Sequence, residues 1–154
     1  GSGTASPDAS KFYGGSGDNH WCRNAGGKAF WTDDSNTTTE YDPCPEGWRV
    51  SKSSNIGDLL TRYEWGEHNG YYGMWASGWV NVDEAGDAKI FLPAAGMRIA
   101  DGTSQKRNVE GKYWGAQDYA DDRGHVKHFS KDDYSIDVVE YKNFALSVRC
   151  EKIQ

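Results

Sequence analysis

The chain has 154 residues and a formal net charge of -6, enough for one domain with a single core and too short for two ordinary ones. Ile, Leu and Val total 17 against 21 Trp, Tyr and Phe, so burial must come from flat rings with polar edges more than from aliphatic volume. The acidic balance argues against a nucleic-acid surface, which needs clustered Lys and Arg, and no apolar run approaches the roughly 20 residues of a membrane-spanning helix.

Residues 1–19 are rich in Gly, Ser and Asp and read as a flexible linker or cloning scar, leaving 20–154 as one domain. From Trp21 to Trp31 rings and glycines alternate without a helical or strand period, and the polar run up to Pro43 reads as loop. Ile56, Leu59 and Leu60 then fall at helical spacing behind Ser53 or Ser54 as a cap, predicting one short helix. The stretch 64–86 sets Trp65, Tyr71, Tyr72, Trp75 and Trp79 among glycines and reads as a long packed loop. Ile90, Phe91 and Leu92 running into Pro93 predict a short buried strand, and Met97 and Ile99 lead into an Asp101-Gly102 turn. Residues 111–119, 124–130 and 135–141 are further strand candidates, separated by the acidic turns Asp121-Asp122 and Asp132-Asp133. Phe144, Leu146, Val148 and Cys150 alternate with Ala145, Ser147, Arg149 and Glu151, the period of a strand with one buried face.

Chemistry by motif is sparse. The chain contains no GxGxxG, P-loop, HExxH or GxSxG pattern, so no phosphate, zinc or acyl-transfer machinery and no cofactor is implied. Cys22 follows His20 and Trp21, but neighbours in sequence rarely face each other, and an idle thiol is the simpler reading. Glu64, Glu67, Asp83, Glu84 and Asp87 could hold an acid–base pair only at a separation the sequence does not give. His125 and His128, with acidic turns on either side, suggest a metal cluster, yet residues three apart on a strand point to opposite faces. Solvated turns are favoured, with no metal. Three cysteines, Cys22, Cys44 and Cys150, lack the Cys-x-x-Cys spacing and fit one bridge with one spare thiol.

The segment 114–143 stands out by composition. Trp114, Gln117, Asp118, Tyr119, Arg123, His125, Lys127, Lys131, Tyr134, Glu140, Tyr141 and Asn143 occur among few aliphatics. Rigid rings give contact area at low entropy cost and amides or charges supply hydrogen bonds, a mixture suited to recognition as well as to an ordinary hydrophilic face.

Four segments together resemble a known family: YDPCPEGWRV at 41–50, IFLPAAGMR at 90–98, GKYW at 111–114 and LSVRC at 146–150. Their order and spacing are similar to the Fibrobacter succinogenes major paralogous domain of Bacteroidetes surface proteins, and to segments that close the variable proteins of diversity-generating retroelements. The resemblance covers roughly residues 41–152. It implies an α+β, C-type-lectin-like fold with one or two short helices, long irregular aromatic loops and a small twisted antiparallel sheet whose last strand returns beside the first. It further implies a Cys44–Cys150 disulfide with Cys22 free, Cys22–Cys44 being the competing pairing, and hence export to an oxidising compartment at or beyond the cell surface. The family's ligand surface falls on the polar segment just before LSVRC. The Glu-Pro-Asn or Gln-Pro-Asp signature of calcium-dependent sugar binding is absent. The expected function is non-catalytic, adhesin- or receptor-type binding of a protein or glycan through residues 114–143, within a larger surface protein. The alternative is a structural domain that docks on a pilus or neighbouring domain through aromatic loops at 63–80.

Overall fold

The computed structural model describes residues 31, 38–39, 41–52, 54–55, 63–77 and 89–153. Expectations that rest on 1–30, including the linker at 1–19 and the state of Cys22, lie outside these residues.

The described chain is β-rich. Strands account for 59% of it and helical geometry for 2%, so the α+β, C-type-lectin-like architecture with one or two helices is corrected to a β fold. Among the described residues only Ser54 and Asn55 are helical, and 56–60, which carried the predicted helix, lie outside them. No helix among the described residues is long and apolar enough to cross a membrane.

The described residues form eleven strands: β1 (Trp48–Val50), β2 (Tyr63–His68), β3 (Tyr71–Ser77), β4 (Lys89–Pro93), β5 (Met97–Arg98), β6 (Ser104–Gln105), β7 (Glu110–Ala120), β8 (Arg123–Ser130), β9 (Tyr134–Tyr141), β10 (Ser147–Val148) and β11 (Cys150–Lys152). They form four sheets: β1–β11, β2–β3–β4, β5–β6 and β10–β7–β8–β9, with β10 parallel to β7 and every other pairing antiparallel.

The predicted loop over 64–86 is corrected for its first half: residues 63–77 are a hairpin. Asn69 and Gly70 turn it with positive φ of 50° and 81°, the pair of left-handed residues that a two-residue turn between twisted strands requires. Rings suit the pleated surface that follows. On one face Trp65 lies opposite Met74, and Leu92 of β4 completes the row.

That face closes on the larger sheet. Met74, Ala76, Leu92 and Ala94 from the first layer meet Tyr113 and Phe129 from the second, with Tyr63, Trp65 and Ile90 against them. Tyr113 stacks on Phe129 at 5.9 Å, and its hydroxyl donates to the Pro93 carbonyl at 3.1 Å. The ring fills the core and its polar tip crosses between layers without leaving a buried donor unpaired.

The predicted single strand at the C-terminus is split at Arg149. Ser147 and Val148 run beside Tyr113 and Trp114, whereas Cys150 to Lys152 pair with β1. The last strand thus returns to the first, and two contacts fasten it there, with a third tying the Cys44 segment to β1. Cys44 and Cys150 form a disulfide with Cα atoms 5.9 Å apart. Arg49 donates through Nε and a terminal nitrogen to Glu151 Oε1 at 2.9 and 2.6 Å. Asp42 accepts from the amides of Cys44 and Val50. The competing Cys22–Cys44 pairing is thereby excluded.

Two outcomes follow for stability. The bridge closes 106 residues of sequence, for which chain entropy gives about 4 to 5 kcal/mol; Cys150→Ala should lower the denaturant midpoint accordingly, and equal midpoints for oxidised and reduced protein would contradict it. Burial pushes the Tyr113 hydroxyl up to about 12 from 10.0. Because the folded value lies above the unfolded one, this contribution is complete below pH 10 and is lost as pH rises through 12, by about 2.7 kcal/mol at 1.36 kcal/mol per unit. Ultraviolet titration should show one tyrosine ionising about two units late, together with steepening alkaline unfolding that Tyr113→Phe removes.

Candidate functional site

The twelve residues singled out between 114 and 143 do not form one surface. Their positions follow from strand alternation and from how far each strand extends beyond the core.

Three are buried: Trp114, Lys127 and Asn143. Trp114 lies on the face of β7 opposite Tyr113, edge-on to Trp31 at 6.2 Å, beside fully buried Val126. It is a packing residue. Glu140 is committed to an ion pair with buried Lys112, which shares that face and has His128 opposite. His128 Nε2 in turn lies 3.7 Å from Glu110. His125 sits on the other face of β8, opposite Val139, so the two imidazoles point apart. No group of three or more His, Cys, Asp or Glu able to hold a metal occurs among the described residues.

Lys131 and Tyr134 are exposed at the β8–β9 turn, where Tyr134 packs edge-on against Tyr63 at 5.5 Å. That turn is at the far end of β8 from Arg123. An eight-residue strand separates its ends by roughly 23 Å, so these two residues belong to a different surface.

Six residues do converge: Gln117, Asp118, Tyr119, Arg123, His125 and Tyr141. The last four residues of β7, 117–120, are all exposed, on both faces, so the β7–β8 hairpin projects past the core. Between Trp114 and Asp118 the register with β8 shifts, and shifts again before Ala120. Such bulges turn side chains away from the regular pleat. The tip is stiffened from within: Tyr119 meets His125 edge-on at 5.5 Å, the Arg123 guanidinium lies 5.3 Å over the Tyr141 ring, and Lys142 Nζ reaches Asp118 at 2.9 Å. Tyr119 remains 58% exposed and Tyr141 37%. Two rings are thus held in fixed attitudes with one broad face or edge toward solvent.

A second feature escaped the sequence reading. The outer face of β2–β3–β4 carries His68, Trp75 and Phe91 in mutual ring contact at 5.0 to 5.2 Å. Phe91 can lie flat there because a side chain at Gly73 would collide with its ring and with the Leu92 carbonyl. Beside these rings, toward the Asn69-Gly70 turn, is a concavity of about 410 Å³ lined by His68, Asn69, Tyr71, Phe91, Arg107 and Asn108, with the stretch 93–95 as its wall. The available signal was the Asn-Gly pair between alternating rings, which marks a hairpin and fixes which rings share a face.

No family model, curated protein or solved structure matches this chain.

The separation of structural from surface residues is measurable. Glu140→Gln leaves the Lys112 charge buried without its partner and should cost about 3 kcal/mol, whereas Tyr119→Ala should stay within about 0.5 kcal/mol of the parent. Urea unfolding of the two variants decides it, and the reverse order would make Glu140 a surface residue.

Proposed function

We propose that the chain is a non-catalytic recognition domain of an exported bacterial surface protein, binding a protein or glycan through the projecting end of the β7–β8 hairpin and the adjoining end of β9. The observation that carries this reading is the cross-braced set Tyr119, His125, Arg123 and Tyr141, with both tyrosines exposed and the other two half-buried against them, where β7 outruns the core. Rings already fixed by their neighbours lose little freedom on binding, and tyrosine and arginine are the residues on which interface energy concentrates. The reading narrows the candidate surface to six residues and gives Trp114, Lys127, Glu140 and Asn143 structural roles.

The Cys44–Cys150 bridge fits an oxidising compartment, which supports export. The four segments similar to the Fibrobacter succinogenes major paralogous domain support a place within a larger Bacteroidetes surface protein. They converge in space to the extent that Val50 pairs with Cys150, Ser147 with Tyr113 and Val148 with Trp114.

The purified domain on a combined glycan and protein array should retain a discrete set of ligands. Replacing Tyr119, Arg123 and Tyr141 together by alanine should weaken capture at least about tenfold while leaving the unfolding midpoint in place. Undiminished capture by the folded triple variant would refute the assignment.

A further inference from the structure

The concavity on the outer face of β2–β3–β4 is a different surface from the hairpin tip, and its lining has its own chemistry. Its floor is ring and aliphatic: Tyr71 and Phe91, with Trp75 packed behind them. Among the described residues no carboxylate lines it. Its one full positive charge is Arg107, whose guanidinium lies 5.7 Å over the exposed Tyr71 ring and has no acidic partner among the described residues. In a chain of net charge -6, a guanidinium held on a ring at the mouth of an acid-free cavity is a site for a carboxylate. A guanidinium can meet two carboxylate oxygens at once through its planar fork of donors.

The amides narrow the ligand further. Asn69 and Asn108 both take left-handed backbone, φ 50° and 60°, and Lys106 beside Arg107 is the only other non-glycine residue to do so among those described. Asn108 Oδ1 accepts from the Tyr72 backbone amide at 3.4 Å, and the Asn108 backbone N–H donates to the Ala94 carbonyl at 2.7 Å. The first contact orients the carboxamide with its NH2 group available to a ligand oxygen. Flat ring floor, two carboxamides and one guanidinium match a molecule with an apolar C–H face, several hydroxyls and a single anionic group.

We infer that this concavity binds one acidic sugar residue, a uronic or sialic acid, laid with its C–H face on Tyr71 and Phe91 and its carboxylate on Arg107. A volume of about 410 Å³ suits one such residue within a longer glycan. Docking of a pilus or neighbouring domain would call for a broad, protruding apolar face, whereas this one is concave and carries a cation at its edge.

The test is titration of the intact domain with glucuronate, N-acetylneuraminate, glucose and acetate, followed by tryptophan fluorescence and by NMR shifts of the His68 ring. Glucuronate or N-acetylneuraminate should saturate at millimolar concentration, the stronger of the two identifying the sugar, and glucose and acetate should each bind at least about tenfold more weakly. Arg107→Gln should cost the acidic sugars about tenfold and leave glucose unchanged; Tyr71→Ala, at an exposed position, should weaken every sugar. The triple variant at Tyr119, Arg123 and Tyr141 should bind acidic sugars as the parent does, so this site and the hairpin tip fail or survive separately. Absence of saturation by either acid, glucose binding equal to glucuronate, indifference to Arg107→Gln, or binding of a phenylalanine-terminated peptide in place of the sugars would each overturn the inference.

Discussion

The fold depends on the clasp between its first and last strands. Arg49 and Glu151 face each other across β1 and β11, with the arginine only 4% exposed, and burying a guanidinium is tolerable only when its donors are met by charge and good geometry. Glu151 meets that demand with one oxygen. Its other oxygen accepts from Asn55 Nδ2 at 2.6 Å and from the Lys52 amide at 3.3 Å. The disulfide beside it contributes about 4 to 5 kcal/mol by the chain-entropy estimate, a large share of the roughly 5 to 15 kcal/mol that holds a domain together. In a chain short of aliphatic residues, covalent and ionic closure substitutes for part of a conventional core.

The clasp also sets the position of the long sheet. Ser51 donates its amide to the Arg149 carbonyl, and its own carbonyl accepts from the Ala116 amide of β7. One residue therefore links the two-stranded clasp to the strand that forms the projecting hairpin. β7 is held by Ser147–Val148 beside Tyr113 and Trp114 and by Ser51 at Ala116, and from Gln117 to Ala120 every residue is exposed. The tip is presented because the anchoring stops there.

What was legible in the sequence had local causes. The three long strands were visible because acidic turn residues punctuate them, and β7, β8 and β9 lie within a residue or two of where alternation and those turns put them. Ile90 to Pro93 was legible as a short apolar run closed by proline. The hairpin at 63–77 was not, although Asn69-Gly70 announces it, because glycines at 66 and 73 interrupt the alternation; they are there to accommodate rings on the neighbouring strands, a demand visible only once the strands are paired. Composition found the neighbourhood of the candidate surface but not its members. Whether Lys127 or Tyr119 faces water depends on pairing with residues distant in sequence and on a register shift after Trp114. The Cys44–Cys150 bridge came from the family resemblance; spacing alone left all three pairings of Cys22, Cys44 and Cys150 open.

Rings do different work along the same strands. On β3, Met74 faces the core while Trp75 lies on the other face against Phe91; on β7, Tyr113 is buried while Tyr119, beyond the end of the covered stretch, is exposed. A chain that builds its interior from rings necessarily places similar rings where the second face of each strand meets solvent, because alternation gives every strand two faces. Such rings are tolerated on a surface when they are pinned by neighbours. Here the bracing comes from His125 and Arg123 at the tip, and at the concavity from the space that Gly73 leaves for Phe91 and from Arg107 over Tyr71. Contacts of this kind would lower the entropy cost of the binding proposed above, an advantage that a loop-borne site of the same composition would lack.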